Sequence, residues 1–377
     1  MRQLEIVPTF VTQLDGKILP NAHAIGDVDG DDATELIFGS ITGDIAIYKI
    51  KADRFVKWRS CTVDGSVTSI CIDTSSANDA RVFVATAEGS CFVVTESGDE
   101  FRVSSEFRVS LNVCDLAVLD GDLVVGTRDG GLYIYRADSN AHHWLGGYKQ
   151  LEKFEIKREI ESFQLLNADG NSSSSQLVVR CISGEFFQVA TLGSDEQKKR
   201  TMLSWKEHLP AAGFDDEVAY IVEGVQSSSE GGEAEQSVAV ASLSGRIAVF
   251  SAVHEKQWST KLSEAVVALD KLSIASPSSG QARDALVACT WSGRIFVVKN
   301  PDSVVHFRIL YPASYLFCAD VFENADKCER FLVAISTSGV IFVFRGLEDT
   351  LSRALLRSSL LLGWYNLLTI TASFLSF

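Results

Sequence analysis

The chain has 377 residues, of which 46% are hydrophobic and 22% charged, so it is long enough for a large buried core and too apolar for disorder. Its 49 acidic residues outnumber 34 basic ones, giving a net charge of −15, and no basic block exceeds Lys198, Lys199 and Arg200. Neutralising phosphates needs a basic face, so the balance argues against direct nucleic-acid binding.

The first residues, MRQLEIVPTFVTQL, alternate apolar and polar side chains and contain no continuous apolar run. They read as a strand rather than a signal peptide. The eight cysteines include no C-x-x-C pair, and Cys71, Cys91, Cys114, Cys181, Cys289 and Cys318 fall inside apolar runs. Buried reduced thiols explain them better than a metal or redox site does, which implies a cytosolic location. The glycosylation pattern at Asn171-Ser172-Ser173 would then go unused.

From residue 23 onward one unit repeats. Gly43, Gly89, Gly130, Gly184, Gly245, Gly293 and Gly339 each sit between two short apolar runs, as in ELIFGSITGDIAIY and ALVACTWSGRIFVV. A strand-turn-strand unit recurring every roughly 41 to 61 residues is the signature of a β-propeller blade. In the first unit HAIGDV, ELIFGS, DIAIYKI and FVKWRSCTV read as strands A to D, and A strands recur at VTSICI, VCDLAVL, ESFQLL, VAYIVEGV, VVALDKL and LFCADVF. The glycine supplies a positive φ in each B–C turn, and the Ser or Thr before it in five blades is expected to bond the turn backbone. The connections NADGNSSSSQ (167–176), GVQSSSEGGEAEQS (224–237) and SIASPSSGQARD (273–284) are Ser/Gly-rich surface loops, with GSDEQKKR (193–200) on the same side.

The two ends complement each other. The last unit stops at VIFVFRG (340–346) without a D strand, and LEIVPTFVTQL precedes the first A strand. Inserting that segment into the last blade would remove two open edges, and Pro8 is tolerable on an outer strand. The expected fold is therefore an all-β, seven-bladed propeller over residues 1–346, of four-stranded FG-GAP/WD-like blades closed by the N-terminal strand. Residues 347–377 form a tail. It begins as a helix with Leu347, Leu351 and Leu355 on one face, and from Ser358 to Phe377 it carries no charge. Packing on the propeller, a marginal membrane anchor and a terminus without fixed fold are all open readings of that stretch.

One turn carries chemistry. Asp27-Val28-Asp29-Gly30-Asp31-Asp32-Ala33-Thr34-Glu35 places acidic side chains at positions 1, 3, 5 and 9. Alternating carboxylates on a tight loop can point inward together and satisfy the six to eight oxygens of a calcium ion. Asp27, Asp29, Asp31 and Glu35 are thus the candidate Ca²⁺ ligands, the alternative being a solvated acidic turn whose carboxylates bond backbone N–H groups. No catalytic signature is present, His142 and His143 lie in a polar connection, and Trp58, Trp205 and Trp258 fall on D strands as packing residues.

The acidic turn resembles the D-x-D-x-D-G-x-x-D loop of the FG-GAP blades in integrin α-subunits, although its glycine is at position 4 rather than 6 and the other turns lack it. GDVDGDDATELIFGSITGDIAIYK (26–49), ALVACTWSGRIFVV (285–298) and FRILYPASYLFCADVF (307–322) resemble the family of integrin-α FG-GAP repeat-containing protein 2, whose members are subunits of the KICSTOR complex. The resemblance implies a non-enzymatic, cytosolic, lysosome-associated scaffold. Its implied partners are the other KICSTOR subunits and the GATOR complex, the GTPase-activating protein for Rag GTPases. It also implies restraint of TOR kinase at low nutrient and an indirect membrane association. The family has a longer, charged C-terminal region that this tail does not match. Two other classes compete. An adhesion-type FG-GAP calcium module would want several calcium loops and disulfides. A propeller enzyme would want polar groups converging on its centre.

Overall fold

The structure, a computed structural model, describes residues 1–51, 54–73, 80–97, 100–138, 147–166, 176–182, 185–192, 199–204, 216, 218–228, 234–251, 255–275, 282–324, 327–348 and 350–355. His142, His143, Gly184, Lys198, Trp205, the Asn171-Ser172-Ser173 pattern, the polar connections at 167–175, 229–233 and 276–281, and the uncharged stretch 358–377 lie outside the described residues.

Apolar runs punctuated by turn residues fold here as strands. After β1 (Arg2–Gln3) and β2 (Phe10–Gln13) come the blades. Blade 1 is β3 (His23–Gly26), β4 (Glu35–Gly39), β5 (Asp44–Lys51) and β6 (Arg54–Thr62). Blade 2 is β7 (Val67–Asp73), β8 (Arg81–Thr86), β9 (Ser90–Ser97) and β10 (Glu100–Arg108). Blade 3 is β11 (Val113–Leu119), β12 (Asp122–Thr127), β13 (Gly131–Ala137) and β14 (Tyr148–Glu155). Blade 4 is β15 (Ile160–Leu166), β16 (Gln176–Cys181), β17 (Phe186–Leu192) and β18 (Lys199–Ser204). Blade 5 is β19 (Tyr220–Ser228), β20 (Ala234–Ala241), β21 (Arg246–Phe250) and β22 (Lys256–Lys261). Blade 6 is β23 (Val266–Ala275), β24 (Ala282–Thr290), β25 (Arg294–Asn300) and β26 (Ser303–Arg308). Blade 7 has β27 (Ala313–Asn324), β28 (Lys327–Ser336) and β29 (Val340–Arg345) from its own unit and takes β2 as its fourth strand, in the order β2-β29-β28-β27. The fold is thus a seven-bladed propeller with the N-terminal strand in the last blade. The Thr9 N–H donates to Val343 O at 2.8 Å and so anchors that strand. Sequence patterning missed β1, which adds to the outer edge of blade 6 by parallel pairing of Arg2 with Val305 and Gln3 with His306. Two residues are too few to show a period.

The turn glycines explain the repeat. Gly43, Gly89, Gly130, Gly245, Gly293 and Gly339 have φ between +79° and +90°. A Cβ at Gly43 would stand 2.2 Å from Val63 O, and at Gly293 2.3 Å from Tyr311 O. The close approach makes a bond. Val63, Val109, Ile156, Leu262 and Ile309 N–H groups, each just past a D strand, donate to the carbonyls of Gly43, Gly89, Gly130, Gly245 and Gly293. The hydroxyl expected directly before the glycine has a different task. The turn backbone is bonded by the Ser or Thr three residues before it, as with Ser242 accepting from Arg246 N–H and Ser336 from Val340 N–H. The hydroxyl next to the glycine pairs with that side chain, as Thr42 does with Ser40 at 2.6 Å.

Two units divide the chain. In the unit of Gln13–Leu209 with Val321–Cys328, the core lies between blades. Phe83, Val93, Phe107, Val113, Leu116 and Val125 pack blade 2 on blade 3, with Phe107 and Tyr148 stacked at 4.7 Å. The innermost strands β7, β11 and β15 each carry a bulge near their start, which turns Ser69 and Asp115 along the inner edge. Asp115 accepts from Ser69 Oγ at 2.8 Å, Leu116 N–H at 2.8 Å and Phe163 N–H at 2.6 Å, joining blades 2, 3 and 4. Asn21 adds to the tie: its side-chain amide donates to Cys114 O and Glu161 O, and its main-chain carbonyl accepts from Ile70 N–H.

In the unit of Met1–Thr12, Pro210–Asp320 and Glu329–Phe377, Asp270 of β23 plays the corresponding part and accepts from Lys271 N–H and Cys318 N–H. Residues 347–348 and 350–355 are helical, and Leu347, Leu351, Ala354 and Leu355 are buried in the core of blades 6 and 7. Ser303 Oγ donates to Leu355 O at 3.1 Å, so a side chain takes one of the carbonyls at the end of that turn. Among the described residues no helix is long and apolar enough to cross a membrane.

Candidate functional site

The acidic turn joins β3 to β4 and is pinned at its base. Thr34 exchanges bonds with Phe322 at the end of β27, its N–H donating to Phe322 O and its hydroxyl accepting from Phe322 N–H. Gly30 and Asp32 both adopt positive φ, +73° and +61°, which curls the turn tightly enough to face its carboxylates inward.

The four candidate ligands take different roles. Asp27 caps the turn itself, accepting from Gly30 N–H at 2.7 Å and Asp32 N–H at 3.0 Å. Asp31 Oδ1 accepts from Ala33 N–H, and Glu35 Oε2 from Val28 N–H at 2.8 Å. The other carboxylate oxygens converge on Lys49 of β5. Its Nζ lies 2.8 and 2.7 Å from the two oxygens of Asp29, 2.7 Å from Asp31 Oδ2 and 2.9 Å from Glu35 Oε1. Trp58 of β6 supports the ammonium with its ring centroid 4.2 Å away and packs edge-on against Phe101. Lys49 is 2% exposed and Glu35 0%.

This geometry sets the electrostatics. Burial disfavours the charge on Lys49, but its bonds to the carboxylates of Asp29, Asp31 and Glu35 more than offset it and raise its pKa. For Asp31 the desolvation that raises its pKa is likewise outweighed, by Lys49 and the Ala33 N–H, and the net shift is downward. Glu35 goes the other way: burial pushes it up to about 7 despite Val28 and Lys49.

One oxygen each of Asp27, Asp29 and Glu35 lies within 4.8 Å of the others, so the sequence pattern does gather carboxylates. Calcium would require six to eight oxygens at about 2.3–2.6 Å around a point free of other cations. With an ammonium held by three of the four residues, the loop as folded does not fit that ion. Lys49 was the residue missed by sequence reasoning. The signal was present: a lysine inside the apolar run DIAIYKIK, where buried lysine is found only when paired.

A second charged cluster also went unread. Arg200, last of the one basic block, points inward to Asp122 and lies 3.3 Å from Glu152, while Arg136 forms two 2.7 Å bonds to Asp122. That residue therefore contributes nothing to a basic surface. The thiols of Cys71, Cys91, Cys114, Cys289 and Cys318 are pushed upward by burial, and none of the eight cysteines is in a disulfide.

Known proteins share the fold and the sequence pattern. A crystal structure of BBS1N in complex with ARL6DN, soaked with mercury, superposes with a TM-score of 0.58 at 13% identity, over 89% of this chain and 95% of that one. The crystal structure of Saccharomyces cerevisiae Sqt1 gives 0.53 at 13% identity, over 92% and 99%. At that identity the likeness is one of fold alone. KICSTOR complex protein ITFG2 of Bos taurus is 22% identical over 91% of this chain and 71% of its own length, and the Mus musculus protein of the same name is 23% identical over 82% and 77%. Residues 57–346 match the family described as integrin-alpha FG-GAP repeat-containing protein 2, and the chain belongs to that family.

Proposed function

We propose that this protein is a non-enzymatic scaffold subunit of a KICSTOR-type complex. In this role it helps bring the GATOR GTPase-activating complex to the cytosolic face of lysosomes and so restrains TOR kinase when nutrients are scarce. The observation that carries the proposal is the family match over residues 57–346, which spans blades 2 to 7, together with relatives named as KICSTOR subunits. The chemistry of the described residues agrees with it. The strongly shifted carboxyls, Glu35, Asp115 and Asp270, are each engaged in structural bonds to their own or a neighbouring strand or turn, which is how groups that hold a fold behave. The net charge of −15 suits association with protein partners rather than with nucleic acid.

The test is removal of the protein from cells followed by amino-acid starvation. TOR signalling should stay high and the GTPase-activating complex should fail to collect on lysosomes. Normal shut-off with the complex still in place would overturn the proposal. Purification of the tagged full-length chain should bring down the other KICSTOR subunits at defined stoichiometry.

A further inference from the structure

Lys49 changes what the acidic turn of blade 1 can be. An FG-GAP calcium loop gathers carboxylates and waits for a divalent ion to neutralise them. Here the cation arrives on the neighbouring strand of the same blade. We propose that the Lys49 ammonium is the resident cation of this loop, making the blade independent of calcium, and that removing it leaves a divalent-cation site behind.

The stoichiometry of donors and acceptors supports this. The three N–H donors of the ammonium go to Asp29 Oδ1, Asp29 Oδ2 and Asp31 Oδ2 at 2.7–2.8 Å, and Glu35 Oε1 adds an ion pair at 2.9 Å. The lysine side chain is itself buried, on a strand whose Ile45, Ile47, Tyr48 and Ile50 are buried with it. Trp58 presents its face to the ammonium, a contact suited to a soft monovalent cation rather than to a hydrated divalent one. A calcium ion at the same point would sit against a fixed positive charge. Glu35, Asp31 and Asp27 are held by the Val28, Ala33, Gly30 and Asp32 N–H groups of the turn, so the arrangement of these three does not depend on the lysine alone. A truncated side chain at position 49 would leave those oxygens around an uncharged gap, which is the condition for capturing a hard cation.

The experiment measures melting temperature and calorimetric heat of the full chain in EDTA and in millimolar Ca²⁺, for wild type, Asp29→Asn, Lys49→Met, and Lys49→Met with Asp29→Asn. The wild type should melt alike in both buffers and give no heat. Lys49→Met should melt lower than wild type in EDTA, recover in Ca²⁺, and show saturable heat that the added Asp29→Asn abolishes, with affinity at least about tenfold above wild type. A wild-type protein that binds Ca²⁺ and loses the binding in Asp29→Asn would overturn the proposal. So would a Lys49→Met protein as stable in EDTA as the wild type, or one destabilised but indifferent to Ca²⁺. If Lys49→Met is insoluble in EDTA, its soluble yield when expressed and lysed with Ca²⁺ decides the same question: rescue supports the site, and failure of rescue rejects it.

Discussion

Asp115 is the residue on which three blades depend, and its replacement offers a quantitative test of how the inner strands are joined. Both carboxylate oxygens accept: Oδ1 from Ser69 Oγ and Leu116 N–H, Oδ2 from Phe163 N–H. An Asp115→Asn amide keeps the shape but must aim its NH₂ at one of these donors whichever way it flips. Leu116 N–H keeps a partner in Ser69 Oγ at 3.0 Å, so the group left without an acceptor is Phe163 N–H or the Ser69 hydroxyl. At pH 5, where the carboxyl is neutral, one unsatisfied buried donor and the hydrogen bond it loses should cost about 2–3 kcal/mol. Urea unfolding followed by tryptophan fluorescence would measure it. The pH dependence sharpens the test. Burial pushes the Asp115 carboxyl up to about 7 from an ordinary 3.8, against the pull of Phe163 N–H, Ser69, Leu116 N–H and the charge of Arg180. The native state then holds a proton that the unfolded chain releases. Its contribution is present at low pH and is lost as pH rises through about 7, worth about 2–3 kcal/mol between pH 5 and 8. The Ser69 hydroxyl can turn to accept that proton. Asn has no such titration, so the penalty of Asp115→Asn should shrink by that amount from pH 5 to pH 8. A penalty below about 0.5 kcal/mol at pH 5, or one that grows with pH, would refute the account.

Two other outcomes follow from the backbone. Gly293→Ala should destabilise by more than about 2 kcal/mol, because its Cβ would meet Tyr311 O at 2.3 Å, whereas Gly121→Ala, with the same φ of +81° and nothing within 4 Å, should cost only the left-handed strain of about 1 kcal/mol. Equal losses in denaturant midpoint for the two would show that the close approach is unimportant. Deleting residues 1–13 should remove β2 from blade 7 and β1 from blade 6 and leave the chain largely in the insoluble fraction, while a soluble deletion melting near the wild type would deny the closing strand its role.

Much of this architecture could be read without coordinates because it is said many times. A glycine between two apolar runs states the B–C turn once per blade, and six of the seven turns fall on described residues at nearly the same φ. The closing strand was legible for a related reason. A deficit at one end and a surplus at the other have one economical solution, and β2 beside β29 is that solution. The features that escaped are those stated once. β1, two residues long, is such a feature. The hydroxyl that bonds the turn backbone recurs three residues before the glycine in six of the seven units, but a second Ser or Thr next to the glycine in five of the seven masks it.

The acidic turn shows the same division within one site. Its alternating carboxylates are a local pattern, and one oxygen each of Asp27, Asp29 and Glu35 lies within 4.8 Å of the others. What they gather around is set by a residue 14 to 20 positions further on, brought alongside by the β4–β5 pairing of Leu36 with Tyr48 and Ile37 with Ile47. Lys49 departs from the apolar run around it, and such a departure inside a buried strand is the kind of local inconsistency that marks either a function or a compensation elsewhere. Here the compensation can be named: three carboxylates that a calcium reading had already set aside for another cation. A motif read from spacing alone supplies the charge to be neutralised, while the neutralising group is supplied by topology. The two must be combined before a metal is assigned.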